Sequence, residues 1–192
     1  MIDSNNLKVD KILDLNVSRE TLRELTDYSN AIFLRNQSIN LIGRSTENSI
    51  KHRHIEDSAQ TIEFIDKKDI KICTDLGSGA GLPGIVLSIL MKTKKPLFKV
   101  IFYEKSYHKS IFIKEMTKKF KLTSEVNRKN IFHEKNLSTD VIISRAFKPL
   151  PVIFQIAQTN FKNFKYIILF LGRSGKKILE DALKIWRFDY EE

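Results

Sequence analysis

From residue 69 onward, short apolar runs alternate with amphipathic stretches, and no other feature constrains the fold as tightly. The runs cover 70–76, 98–103, 122–126, 141–144 and 166–171. They are rich in Ile, Val and Phe and mostly lack the polar alternation of a half-exposed strand, as a sheet covered on both faces requires. Helix candidates lie between and after them at 83–91, 107–120, 150–161 and 176–186. Strand–helix alternation predicts a Rossmann-like α/β fold, a mostly parallel doubly wound sheet. The first third has a different texture. Ser18 is placed to cap a helix in which Leu22, Leu25, Ser29, Ile32 and Phe33 form one apolar stripe. A loop around 43–46 and a second helix through Ile50, Ile55, Ala59, Ile62 and Ile65 are expected next. The predicted organisation is an N-terminal helical extension over 1–68 and a core over 69–192, in one compact domain.

A chain of 192 residues buries enough surface to need no staples. Cys73 is the only cysteine, which rules out an intramolecular disulfide and makes a reducing cytoplasm the default. The longest apolar stretches, 82–91 and 166–172, fall far short of the roughly 20 residues a membrane span needs. The polar segment 1–10 carries two acids and reads as neither signal nor transit peptide. The formal net charge is +10, from 33 Lys+Arg against 23 Asp+Glu, and such an excess draws phosphate backbones. Lysine inflation in a chain from an AT-rich genome produces the same excess, so charge alone names no partner.

The richest segment is Asp75-Leu76-Gly77-Ser78-Gly79-Ala80-Gly81-Leu82-Pro83-Gly84, directly after the first predicted strand. Pro83 suits the first turn of the following helix. Closely spaced glycines let a backbone turn tightly and let a ligand approach it. A nucleotide P-loop is excluded, because Ile85-Val86 stand where Lys-Ser/Thr is required. The dinucleotide fingerprint fails too, because Leu82 occupies the place of its third glycine. What remains, Asp-x-Gly-x-Gly-x-Gly, resembles the first motif of S-adenosylmethionine-dependent methyltransferases, whose cofactor has no pyrophosphate to cradle. Glu104 ends the second predicted strand, where a carboxylate can accept both ribose hydroxyls; the bland alternative is a surface glutamate paired with Lys105 or Lys109. Asp75 either holds the loop amides or approaches the cofactor's amino group.

Four ordered blocks make the resemblance specific. They are Asn40-Leu41-Ile42, Arg53-His54-Ile55-Glu56-Asp57-Ser58, the glycine loop with its Leu-Pro-Gly ending, and Ser144-Arg145-Ala146-Phe147. Together they resemble the bacterial small-subunit ribosomal RNA guanine-N7 methyltransferases, also called the glucose-inhibited division protein B family, from about Leu22 to the end of the chain. The resemblance implies a class I S-adenosylmethionine-dependent methyltransferase fold. It implies cofactor contacts by Gly77 and Leu82, by the pair Lys129-Asn130, and by Arg145, which join Asp75, Gly79, Gly81 and Glu104 from the loop and second strand as cofactor-binding candidates. It also implies 16S ribosomal RNA or the small ribosomal subunit as partner. Asn130 departs from the glutamate common in relatives, and Glu104 from the more common aspartate. Relatives also continue past the segment resembling 176–190 with one or two more strands, so this chain is expected to be either naturally short or truncated, with strand backbone exposed at a sheet edge.

Guanine N7 carries a free lone pair and no proton at neutral pH. Its methylation needs no general base, so neither a catalytic triad nor a metal cluster is expected. The Asn/Asp-Pro-Pro-Tyr motif of exocyclic-amine methyltransferases is missing, which argues against adenine N6. His54 and Asp57 lie three residues apart on the second predicted helix and are candidates to orient the base or the loop; a surface hydrogen bond is the bland reading. His52 and His54 face differently on a helix and make no metal site, and His108 and His133 lack matching partners. Arg145 is expected to bind the cofactor carboxylate or an RNA phosphate, against the alternative of a salt bridge. Lys92, Lys94, Lys95, Lys105, Lys109, Lys118, Lys119 and Lys121 are candidates for docking RNA, and Tyr103, Tyr107 and Phe147 for stacking a splayed guanine. Two other functions stay open: a methyltransferase for another acceptor, and a ribosome-binding relative that lost turnover.

Overall fold

The computed structural model describes residues 8–66 and 69–191; most of the polar segment 1–10 lies outside them, as do the two residues at the end of the predicted extension. Five parallel strands form the central sheet: β1 (Ile72–Leu76), β2 (Lys99–Tyr103), β3 (Ser124–Asn127), β5 (Val141–Arg145) and β7 (Tyr166–Phe170). Their order is β3-β2-β1-β5-β7, so the winding reverses between β1 and β5. That reversal opens a crevice at the carboxyl ends of the two strands. A short parallel pair, β4 (Leu137–Ser138) with β6 (Phe161–Asn163), sits apart; neither strand has an apolar run, and the sequence signalled neither.

Alternation along the strands divides the core into two layers. Cys73, Val100, Phe102, Val141 and Ile143 face one side, against α4 (Gly84–Met91), α5 (Tyr107–Lys119) and the N-terminal helix α1 (Arg19–Asn36). Leu76, Tyr103 and Ile142 face the other, against Ile156 and Ala157 of α6 (Leu150–Asn160). All eight residues of α4 are buried, which explains why its sequence has no polar face. Beyond β7, α7 (Gly175–Leu183) leads to a tail in which Trp186 and Phe188 pack edge-on against Phe154.

The N-terminal helix starts where expected: the Ser18 hydroxyl accepts the Thr21 N–H at 3.1 Å. Its buried stripe is rotated from the predicted one, to Thr21, Leu25, Tyr28, Ser29, Ile32 and Asn36. The helix lies on α4 and α5, with ion pairs Glu24–Lys92, Arg35–Glu115 and Asp27–Lys119 along the seam. The loop expected around 43–46 is partly a 3-10 helix (Arg44–Ser49), and the single helix expected through Ile50 and Ile65 is broken. A π-helical stretch (Lys51–Glu56) runs into the short α2 (Asp57–Ala59), then a turn, then α3 (Ile62–Asp66). Around the break Ser58 donates to the His54 carbonyl and Thr61 to the Ser58 carbonyl, bonds of the kind that Ser29 in α1 and Ser88 in α4 make within unbroken helices.

Candidate active site

The glycine loop leaves β1 at the crevice and is held from beneath. Ser78 donates to the Asp75 carbonyl at 3.0 Å, the Gly84 amide donates to Asp75 Oδ2 at 3.0 Å, and the Tyr28 hydroxyl donates to the Ala80 carbonyl at 2.8 Å. Gly77, Gly79 and Gly81 all take left-handed φ values, which suit residues without a side chain. Above the loop lies a cleft of about 540 Å³, within the usual range for small-molecule sites. One end is walled by Glu104, Lys129, Asn130 and Phe132, beyond β2 and β3. The other is walled by Leu41, Ile42, His54, Arg145 and Phe147, from the N-terminal segment and the end of β5.

Eight predicted residues therefore meet at one opening: Gly77, Gly79, Leu82, Glu104, Lys129, Asn130, Arg145 and His54. Three do not line it. Asp75 is fully buried under the loop, where its Oδ2 accepts the Gly84 amide. Gly81 faces inward, where a Cβ would run into Ile85 at 2.4 Å and the Tyr28 hydroxyl at 3.3 Å. Asp57 borders a different, wider hollow of about 1550 Å³ along β7 and α6, separated from the cleft by Arg145.

Glu104 is 8% exposed and pairs with neither Lys105 nor Lys109 among the described residues. Its Oε2 accepts the Gly79 amide at 2.9 Å and its Oε1 the Ser106 amide at 2.8 Å. A carboxylate has about four acceptor positions, so two remain for a diol. The Asn130 side-chain Oδ1 caps the 3-10 turn Ile131–His133 by accepting the Phe132 amide, and Lys129 pairs with Glu134 at 3.1 Å. Arg145 forms the salt bridge that the sequence left as an alternative, to Asp57 at 3.2 Å, and also donates to the Arg53 carbonyl. Its Nη1 is buried without a partner among the described residues.

The predicted docking lysines separate into two groups. Because α4 and α5 run back from the crevice, Lys92, Lys94, Lys95, Lys118, Lys119 and Lys121 lie toward the opposite end of the sheet, with Lys92, Lys94 and Lys119 in ion pairs. Lys105 and Lys109 border the cleft, joined by Lys148, which the sequence did not single out. Of the aromatic candidates, Tyr103 and Phe147 line the cleft, whereas exposed Tyr107 stacks with Arg128. Sequence reasoning also missed Asn36 and Tyr28. The Asn36 side chain accepts the amides of Leu41 and Ile42 at 2.7 and 2.9 Å, fixing one cleft wall. The Asn-Leu-Ile block marked that wall without showing what holds it.

Burial pushes the Asp75 carboxyl up to about 7, the Gly84 hydrogen bond opposes the shift, and the nearby Glu104 charge adds to it. Its Oδ1 has no partner among the described residues. The folded chain thus keeps a proton that the unfolded chain releases near pH 4, so this group's contribution to stability falls as pH rises from about 4 to about 7 and is flat above. His54 is held down at about 4 by burial and by Arg145 and Arg53, and works in the opposite sense over part of that window. The readout is therefore a difference. Asp75→Asn is expected to gain stability relative to the unaltered chain between pH 4 and 7, by at most about 4 kcal/mol. Urea unfolding of both proteins across that range checks it, and parallel curves would show that Asp75 ionises normally.

A family model described as rRNA small subunit methyltransferase G (GidB) matches residues 21–192, a span holding every residue named in the cleft. The chain belongs to this family. It is 45% identical over 179 residues to the ribosomal RNA small subunit methyltransferase G of Pelagibacter ubique, covering 92% of this chain and 84% of that protein. The protein of the same name from Ruegeria pomeroyi is 32% identical over 177 residues, covering 92% and 86%. The fold is that of class I S-adenosylmethionine-dependent methyltransferases. A SAM-dependent O-methyltransferase from Thermotoga maritima superposes with a TM-score of 0.50 at 19% identity, over 67% of this chain and 48% of that one. The GidB cleft suits S-adenosylmethionine, the cofactor of this enzyme family. Gly79 leaves open the space a side chain would fill, the unpaired acceptor positions of Glu104 suit a ribose diol, and Leu82 and Ile42 offer apolar walls. No helix among the described residues is long and apolar enough to cross a membrane.

Proposed function

We propose that this GidB-family chain transfers the methyl group of S-adenosylmethionine to N7 of a guanine in 16S ribosomal RNA, on the small subunit or its RNA, in the cytoplasm. In this reading Gly77, Gly79 and Leu82 bed the cofactor, Glu104 accepts the ribose hydroxyls, and the Lys129-Asn130 segment borders the adenine. Arg145 stands at the reacting end, where Asp57 holds it. Bound cofactor supplies an electrophilic methyl on its sulfonium. The protein's part is to hold the guanine ring in line with that methyl and exclude water, which lowers the barrier through orientation.

The family match carries this proposal, and the ionisable groups of the cleft agree with it. Glu104 spends one acceptor position of each oxygen on loop amides, and burial with the Arg145 and Arg53 charges holds His54 down at about 4, which makes it a weak proton acceptor. A nucleophile that carries no proton needs no such group. Lys105, Lys109 and Lys148 at the cleft's border suit a phosphate backbone.

Labelled S-adenosylmethionine, incubated with the chain and unmodified small ribosomal subunits, is expected to label a single guanine as 7-methylguanosine, mapped by base-sensitive chain cleavage. Intact cofactor binding without label would redirect the reading to another methyl acceptor. Loss of binding as well would leave a ribosome-binding relative without turnover.

A further inference from the structure

The Thr46 hydroxyl lies 2.7 Å from the Gly43 carbonyl and 2.9 Å from His54 Nε2. A carbonyl oxygen only accepts, so the single hydroxyl proton goes to Gly43, and Thr46 must accept from His54. That arrangement fixes the tautomer: Nε2 carries the hydrogen, and Nδ1 is a bare acceptor. Nδ1 has no hydrogen-bond partner among the described residues and is not sealed from solvent. The ring lines the cleft at the end shared with Arg145 and Phe147, away from Glu104 and Asn130. The backbone holds it firmly, since Ser58 bonds the His54 carbonyl and Ile50 and Ile55 beside it are fully buried.

We propose that His54 Nδ1 selects guanine by accepting a hydrogen bond from the donor edge of the target base, its N1–H or 2-amino group, with Thr46 as the positioning residue that fixes the tautomer. This rests on the guanine-N7 reading above. A base attacked through N7 has that side committed to the methyl group, so the protein must read it on the opposite edge. Guanine presents two donors there, whereas adenine presents an acceptor at N1, facing which the Nδ1 lone pair is repelled. A protonated imidazole would invert that preference by offering a donor. The ring's burial, and after it the neighbouring Arg145 and Arg53 charges, keep it neutral.

The test pairs a change in the protein with a change in the base. Small subunits are reconstituted with guanine, hypoxanthine (no 2-amino group) or 2-aminopurine (no N1–H) at the target position, and single-turnover methyl transfer is measured. The unaltered chain is expected to lose 10- to 100-fold on one of the two analogues, the usual penalty for leaving a buried acceptor unpaired. His54→Phe is expected to lose a similar factor on guanine, lose nothing further on that analogue, and bind S-adenosylmethionine within threefold of the unaltered chain. Thr46→Val is expected to show part of the same loss, and Thr46→Ser to restore transfer. An equal analogue penalty in the unaltered chain and His54→Phe overturns the proposal, as does weakened cofactor binding by His54→Phe. Absence of transfer to guanine by the unaltered chain overturns both this proposal and the guanine-N7 reading.

Discussion

Gly79→Asp is expected to weaken S-adenosylmethionine binding by more than 100-fold, and methyl transfer with it, while the chain stays folded. A Cβ at residue 79 finds only the Gly77 carbonyl, at 3.9 Å, so the new side chain has room and takes it from the cleft. Its carboxylate arrives next to Glu104, which already accepts the Gly79 amide, and like charges this close repel by several kcal/mol at intermediate dielectric. The backbone cost is modest. The φ of +57° is one that Asp tolerates better than most residues, at about 1 kcal/mol. Gly79→Ala is the control, carrying the backbone cost without the charge. Titration calorimetry with the cofactor and thermal unfolding separate the two effects. Retained affinity in Gly79→Asp would mean that the cofactor does not sit over this loop.

The second large effect is on stability. Gly84 begins α4 directly above the sheet, where an added Cβ would lie 2.5 Å from Phe102, 2.7 Å from Asp75 Oδ2 and 3.0 Å from Val100. All three belong to β1 and β2, which cannot retreat because α6 packs on their other side through Leu76 and Tyr103. Gly84→Val must lift α4, the helix buried on every side, and break the amide bond to Asp75 that anchors the loop. A loss of at least about 3 kcal/mol is expected, a large part of the 5–15 kcal/mol that holds a domain of this kind together. Urea unfolding measures it, and a loss below about 1 kcal/mol would mean that helix and sheet can separate cheaply here. The two substitutions divide one loop by direction, since Gly79 faces the ligand side and Gly84 the core.

Several features needed only the sequence. The apolar runs place β1, β2, β3, β5 and β7 within two residues of their ends; for the central β1 and β5 the reason is burial on both faces, whereas the edge strands β3 and β7 are only partly buried. The helix at Tyr107–Lys119 and the cap at Ser18 follow from local preferences that do not depend on the rest of the chain. The family, too, was readable from four short blocks, since a ligand-binding loop places severe demands on a few adjacent residues.

Tertiary structure decided the rest, for one physical reason: a side chain's role depends on which neighbours fold around it. Asp75 and Gly79 stand four residues apart in one motif, yet one is sealed beneath the loop and the other faces the cleft, and only the packing of α4 on β1 separates them. Lys95 and Lys105 look alike in sequence, but the return path of each helix puts one near the foot of the sheet and the other at its crevice. Most telling is His54. Its tautomer rests on a threonine eight residues away and its neutrality on burial and then on an arginine 91 residues away, and none of these carries any signal before the chain has folded.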